Sequence, residues 1–89
     1  MNYTFDPAKS AANVKKHGVF FAVAADFEWE TALVDVDERH NYGEPRLIAT
    51  GLIGNRVYVM VFNLRETSVR IISLRKANRR EVQRYANHI

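Results

Sequence analysis

The fold is decided by residues 51–74, which read GLIGNRVYVMVFNLRETSVRIISL. Residues 57–64 and 69–74 are rich in the β-branched and aromatic side chains that strands favour. Both runs are apolar at nearly every position, which indicates strands in the middle of a sheet. The pair Gly54-Asn55 is a two-residue hairpin signal, and residues 65–68 predict a second hairpin. This region therefore forms consecutive antiparallel strands, with further strand character at residues 3–5, 31–36 and 46–51.

Two helices are predicted before the main strands. Asp6-Pro7 has the form of an N-cap and a first helical residue, so the first helix covers residues 8–16, and Gly18 ends it. A second helix is predicted over residues 19–27. Its apolar residues recur at helical spacing: Phe20, Val23, Ala24 and Phe27.

A third helix closes the chain over residues 78–89. Asn78 followed by Glu81 is a capping-box arrangement that begins it. Strands in a run with helices at both ends predict an α+β domain of two N-terminal helices, an antiparallel sheet of three to five strands and a C-terminal helix. Eighty-nine residues make a single domain. Periodicity places these residues in its core: Phe20, Phe27, Val59, Val61, Ile71, Val82 and Tyr85. Trp29 is interpreted as a lid on the core rather than a base-stacking platform.

Composition excludes several kinds of site. The chain has no cysteine, so it has no disulfide, no thiolate metal site and no cysteine nucleophile. Its three histidines, His17, His40 and His88, are scattered, which argues against a zinc site, and no glycine motif for a nucleotide cofactor is present. No metal or cofactor is therefore predicted. The start lacks the features of a signal peptide, and no apolar run approaches the ~20 residues of a membrane span, so a cytoplasmic location is the default expectation.

Positive charge is concentrated near the C-terminus. Seven basic and two acidic residues between Arg65 and Arg84 give that segment +5, whereas the rest of the chain carries −2 and the whole chain +3. Clustered basic residues are typical of a protein that binds a phosphate backbone. The alternative is a solvated helix face that serves solubility.

Two arginines at the start of the last helix favour the phosphate interpretation. Arg79 and Arg80 would occupy the positive end of the helix dipole, which is unfavourable by about 0.3–1 kcal/mol each. A bound anion would reverse that sign. Arg75 and Lys76 precede the cap and would join the cluster. Alternatively these cations are solvated, or they pair with carboxylates elsewhere in the chain, namely Glu28, Glu30 or Asp35.

Three further charged residues are candidates. Arg70 lies inside an apolar strand, so it needs either a structural carboxylate or a phosphate as partner. By strand parity Arg70 and Arg75 face opposite sides of the sheet unless a bulge intervenes. Glu44 and Arg46 share a face if that stretch is extended, either as a base with its orienting group or as a surface ion pair.

Three motifs resemble one family. Residues 5–9 (FDPAK) with 13–19 (NVKKHGV), residues 43–46 (GEPR), and residues 70–77 (RIISLRKA) with Glu81 and Tyr85 are similar to the opening, middle and closing signatures of the BrnT toxins of bacteria. The order is the same, and the motifs cover nearly the whole chain. The start of the second helix at Phe21-Ala22 and the pair Trp29-Glu30 differ from the family pattern.

The resemblance implies a RelE-like fold and an endoribonuclease toxin of a type II toxin–antitoxin pair. It also implies an antitoxin partner that neutralises the toxin and supplies DNA binding, so that DNA is met only indirectly. On this basis the predicted catalytic residues are Glu44, Arg46, Arg70 and Arg75. The predicted RNA-binding residues are Lys15, Lys16, Lys76, Arg79, Arg80 and Arg84.

Metal-free RNA cleavage needs a 2′-OH to attack the adjacent phosphate, a group that accepts its proton, stabilised phosphoryl oxygens and a protonated leaving oxygen. Arginines stabilise charge but are poor proton donors. The acid and base are left open among four residues: Glu44, His17, His40 and Tyr85. Two other functions fit the same sequence, a non-catalytic nucleic-acid-binding module and a protein-interaction domain.

Overall fold

A five-stranded sheet forms the centre of the structure, a computed structural model that describes residues 1–39 and 43–89. His40 lies outside the described residues. Within them, neither α-helix combines the length and the apolar character needed to cross a membrane. In chain order the elements are β1 (Tyr3–Thr4), α1 (Pro7–His17), a 3-10 helix (Phe21–Asp26), β2 (Leu33–Asp37), β3 (Arg46–Ile53), β4 (Arg56–Leu64), β5 (Val69–Lys76) and α2 (Arg79–His88).

The strands follow the order β1-β5-β4-β3-β2. Both predicted hairpins are confirmed. Ile53 pairs with Arg56 across the two-residue turn, where Gly54 has a φ of 63°, and Leu64 pairs with Val69 across the other. The prediction of a wholly antiparallel sheet is wrong, because β1 pairs with β5 in parallel. The chain passes through α1, the 3-10 helix and three strands between the two, and this long connection allows the parallel arrangement.

A bulge in β5 decides which side chains share a face. Val61 pairs with Ser73 but its neighbour Phe62 pairs with Ile71, so β5 has one extra residue at position 72. The alternation of β5 side chains between the two faces of the sheet is therefore shifted by one residue at the bulge. As a result Arg70 and Arg75 lie on the same face of the sheet.

The core lies on the opposite face of the sheet. Its central side chains, Met60, Phe62, Ile71 and Leu74, are almost completely buried. Trp29 is half-buried against this core, and its ring contacts Phe27 and Phe62 edge-on, which confirms it as a core lid. The predicted burial is confirmed at four positions: Phe27, Val59, Ile71 and Tyr85. Val61 is half-buried.

Two predictions about the core are wrong. Phe20 is 63% exposed and Val82 is 40% exposed. The second predicted helix is a 3-10 helix of six residues rather than an α-helix over 19–27, and its N-cap has no side-chain hydrogen bond. A 3-10 helix has three residues per turn, which brings Phe21, Ala24 and Phe27 onto one buried face. The prediction assumed the 3.6 residues per turn of an α-helix and therefore selected Phe20 instead.

Helix α2 crosses the face of the sheet that is opposite to the core. Arg75 and Asp35, both on that face by register, form ion pairs with Glu81 and Arg84 of α2. The predicted capping box at Asn78 is confirmed: its side chain accepts from the N–H of Glu81, whose carboxylate accepts from the N–H of Asn78. The start of α2 is thereby fixed over the end of β5.

Candidate functional site

A groove of about 420 Å³ lies on the α2 side of the sheet, between the end of α1 and the start of α2. We call it the basic groove. It is lined by Lys16, His17, Arg39, Ile48, Val59, Val61, Ser73, Arg75 and Glu81.

The basic groove has an apolar floor and a charged rim. Ile48, Val59 and Val61 of the sheet form the floor. Three permanent cations stand around it, and Glu81 is the one carboxylate among the described lining residues. Charges interact more strongly beside an apolar surface than in open water, so the groove is suited to hold an anion.

Arg75 and Glu81 form the central ion pair of the groove. The pair is bidentate, with Nη1 to Oε1 at 2.7 Å and Nη2 to Oε2 at 2.8 Å. The hydrogen bonds from Arg75 hold the pKa of Glu81 below its ordinary value, and Glu81 in turn raises the pKa of Arg75. A guanidinium carries five N–H donors, so the pair leaves donors for a second anion.

His17 is placed in the groove by the way α1 ends. Gly18, with a φ of 70°, closes the helix and donates its N–H to the carbonyl of Val14 at 2.8 Å. One turn earlier, the buried Asn13 binds the backbone of Leu74 and fixes α1 against β5. Partial burial and the neighbouring cations Lys16 and Arg75 lower the pKa of His17 from its ordinary value.

The predicted catalytic residues are only partly brought together. Arg75 lines the basic groove, whereas Arg70 lies on the same face at the other end of β5 and faces Asn63. Arg46 begins β3 and is the register partner of Asp37 on this face. Neither Arg46 nor Arg70 is among the lining residues.

Glu44 takes a different partner from the one expected. Its Oε2 accepts from Nη1 of Arg65 at 2.6 Å, and both side chains are exposed. Glu44 is not among the residues that line the groove. The predicted pairing of Glu44 with Arg46 is therefore replaced by a surface ion pair with Arg65.

Tyr85, another candidate acid or base, is buried and also outside this lining. Its OH lies 2.7 Å from Oγ1 of Thr31, which donates to Glu28 at 2.6 Å. The hydroxyl proton of Thr31 is already used in the bond to Glu28, so Tyr85 is the donor in its bond with Thr31. These contacts give Tyr85 a structural role in seating α2.

The predicted RNA-binding residues surround the groove unevenly. Lys16 lines it, and the exposed Lys15 precedes it on α1. Arg79 and Arg80 are exposed in the first turn of α2, directly before Glu81. The other two predicted residues are Lys76, exposed at the end of β5, and Arg84, paired with Asp35 at 2.7 Å.

Sequence reasoning missed two polar lining residues. Arg39 follows β2 and forms a bidentate pair with the buried Asp37, at 2.8 and 2.9 Å. Ser73 faces the groove two residues before Arg75, and a hydroxyl inside an apolar strand is a signal that could have found it. In the ranges 1–39 and 43–89, no group of three His, Asp or Glu side chains is arranged as a metal site.

The same architecture and sequence pattern occur in a known family. Residues 5–81 match the profile of a family described as the ribonuclease toxin, BrnT, of the type II toxin–antitoxin system. The chain belongs to this family. BrnT membership makes it a ribonuclease toxin of a type II toxin–antitoxin system, as the three sequence motifs implied.

A solved BrnT structure supports the assignment. The crystal structure of the Brucella abortus ribonuclease toxin, BrnT, is similar with a TM-score of 0.67 and 27% sequence identity, over 89% of this chain and 99% of that chain. No curated protein shows significant sequence similarity to the chain. The mixed sheet with helices at both ends is therefore an architecture shared with a BrnT toxin.

Proposed function

We propose that this chain is an endoribonuclease that cleaves RNA by attack of a ribose 2′-OH on the adjacent phosphate, held in the basic groove, without a metal ion. The observation that carries the proposal is the gathering of Lys16, Arg39 and Arg75 around an apolar floor, with one carboxylate among the described lining residues.

The groove offers what phosphoryl transfer requires. Negative charge builds up on the phosphoryl oxygens in the transition state, and fixed donors beside an apolar surface stabilise it most. Arg75 is held in place by Glu81, so its guanidinium needs little reorganisation when the phosphate binds. Lys16 and the remaining N–H donors of Arg39 and Arg75, whose charges are shared with Asp37 and Glu81, take the place of the metal ion that other nucleases use.

Product analysis on matched oligonucleotides tests the proposal. A short RNA should be cut in the presence of excess chelator and leave a 2′,3′-cyclic phosphate and a 5′-OH. The same RNA with 2′-O-methyl groups should bind but stay intact, because the nucleophile is blocked. Cleavage of the methylated RNA, or loss of cleavage with chelator, would contradict the mechanism.

Arginine variants locate the reaction in the groove. Arg75→Ala should abolish cleavage, and Arg75→Lys should keep the charge but lose the bidentate geometry and most of the rate. Arg56→Ala, an exposed arginine beside the Gly54-Asn55 turn, is the matched control. Equal rates for all three variants would place the chemistry elsewhere.

The partners follow from the toxin class. We propose that a cognate antitoxin neutralises the chain and that DNA is contacted only through that antitoxin. The RelE-like character of the fold and the cytoplasmic location stay predictions from the sequence. Growth arrest on expression of the chain, relieved by co-expression of an antitoxin encoded beside it, is the expected result in cells.

A further inference from the structure

Two depressions of the surface meet at His17. One is the basic groove, and the other is a smaller crevice of about 170 Å³ between α1 and β5, lined by Lys9, Ala12, Asn13, Lys16, His17, Ile72 and Ser73. Lys16, His17 and Ser73 line both, so they form the ridge between them. An RNA strand that crossed both depressions, with one phosphate in the groove, would place the preceding ribose against this ridge.

We propose that His17 is the general base that takes the proton from the attacking 2′-OH. This inference rests on the proposed ribonuclease function and assigns the group that the sequence left open. Of the three candidates within the described residues, Glu44 pairs with Arg65 outside this lining and Tyr85 is buried against Thr31. His17 is half-buried and lines both depressions, in the groove beside Arg75.

The proton balance is simple. A ring nitrogen of His17 accepts the 2′-OH proton while the O2′–P bond forms, and the P–O5′ bond breaks with its electron pair going to O5′. Water on the open side of the groove protonates that oxygen, and the imidazolium returns its proton to solvent. Arg75 and Lys16 stabilise the phosphoryl oxygens throughout. A base must be neutral before the reaction, and the surroundings of His17 favour that state.

The charged groups that face His17 come from every element around it. Lys9 and Lys16 lie on α1, Arg75 on β5, Arg39 after β2, and Glu81 on α2. Partial burial disfavours a protonated imidazole most, and the neighbouring Lys16 and Arg75 add to the effect, whereas Glu81 is paired with Arg75 and Arg39 with Asp37. The pKa of His17 is therefore lowered from 6.5, so the base is neutral at physiological pH.

Replacement of the imidazole tests the assignment. His17→Asn and His17→Ala should lower the single-turnover cleavage rate by about 10²–10⁴-fold. Affinity for the uncleavable 2′-O-methyl RNA should change by less than about threefold, since no permanent charge is removed. His88→Asn replaces an exposed histidine near the end of α2 and should cleave like the wild type.

Two readouts separate catalysis from a structural role. The wild-type rate should fall about tenfold per pH unit on an acid limb below pH 6.5, and both His17 variants should lack this limb. Added imidazole should enter the open groove and restore part of the activity of His17→Ala. It should not restore the activity of Arg75→Ala.

The possible results are distinguishable. If wild-type protein forms cyclic phosphate ends and the His17 variants cleave at more than a third of its rate, the base is another group. A His17 loss matched by an equal loss of RNA affinity or of folded protein also overturns the assignment. If wild-type protein does not cut RNA at all, the proposed function fails, and the assignment of His17 fails with it.

Discussion

Asn13 binds both backbone groups of Leu74, a residue 61 positions away in the sequence. Its Nδ2 donates to the Leu74 carbonyl at 2.7 Å, and the Leu74 N–H donates to its Oδ1 at 3.1 Å. The two β1 residues pair only with Val69 and Arg70, so in the described structure this edge of β5 is open further along. The carboxamide of Asn13 fills it as another strand would.

Asn13→Ala should therefore destabilise the chain strongly. The variant leaves the buried N–H and C=O of Leu74 without partners, and also frees the Val19 carbonyl, which Asn13 binds at 2.9 Å. The expected loss in free energy of unfolding is about 2–4 kcal/mol, measured as a shift of the urea midpoint. Asn87→Ala removes an exposed amide contact with Gln83 and should stay within about 0.5 kcal/mol. Equal midpoints for the two variants would disprove the role of Asn13.

Gly51 is required because Phe27 approaches its backbone. A Cβ at position 51 would lie 2.8 Å from Cζ of Phe27 and 3.2 Å from Cβ of Ala32. Gly51→Ala should cost about 1–3 kcal/mol through overpacking. The cost should shrink in a Phe27→Ala background, and a thermal double-mutant cycle measures that coupling. Additive losses would mean that the close approach is not the cause.

The strands and helix ends could be predicted because their signals are local. Gly54-Asn55 fixes one hairpin, and Asp6 and Asn78 each cap the helix that they precede. The 3-10 helix could not be predicted in the same way. Phe20 and Phe21 are adjacent aromatic residues, and only packing on the sheet decides which one is buried.

The site was only partly predictable for a similar reason. The cluster of arginines around Arg75 is visible in the sequence, but the bulge at position 72 that turns Arg70 to the same face is not. Glu81 was recognised as a capping residue, yet its pairing with Arg75 depends on how α2 lies over the sheet. Arg39 enters the groove from a distant loop, which no local pattern reports.

Acid should weaken the attachment of α2 through Glu81. The pKa of Glu81 is lowered in the folded chain, chiefly by Arg75, so its carboxylate stabilises the fold above the ordinary value of 4.5. That stabilisation is lost as the pH falls through the lower folded value. Glu81→Gln should cost about 0.5–1 kcal/mol at pH 7, because the pair is partly exposed. The difference from wild type should shrink as the pH falls below 4.5 in urea titrations, and a constant difference would contradict this origin. Glu66→Gln, in the exposed turn after β4, is the control.

The antitoxin should compete with RNA for the basic surface at the start of α2, which includes Arg79 and Arg80. Arg79 and Arg80 are exposed there beside Val82, whose apolar side chain is 40% exposed. Complementary charge on the antitoxin would place it over these residues and block access to the groove. Purified complex should bind 2′-O-methyl RNA far more weakly than free toxin. A complex that binds this RNA as tightly as free toxin, with the antitoxin footprint elsewhere, would refute the competition.

Arg79 and Arg80 should contribute to RNA binding and not to stability. Both are exposed in the first turn of α2, where the helix dipole disfavours each cation by about 0.3–1 kcal/mol. Among the residues that the structure describes, neither forms an ion pair that would offset this. Replacing both with alanine should therefore leave the melting temperature unchanged or slightly raised.

The same double variant should bind 2′-O-methyl RNA more weakly. The slope of log affinity against log salt should fall by about one unit for each phosphate that the variant no longer neutralises. Arg65→Ala, at an exposed residue in the turn at the other end of β5 and paired with Glu44, should keep the wild-type slope. If the arginines instead serve the fold, the double variant should melt earlier and keep its slope. Unchanged affinity at every salt concentration would show that the start of α2 does not bind phosphate.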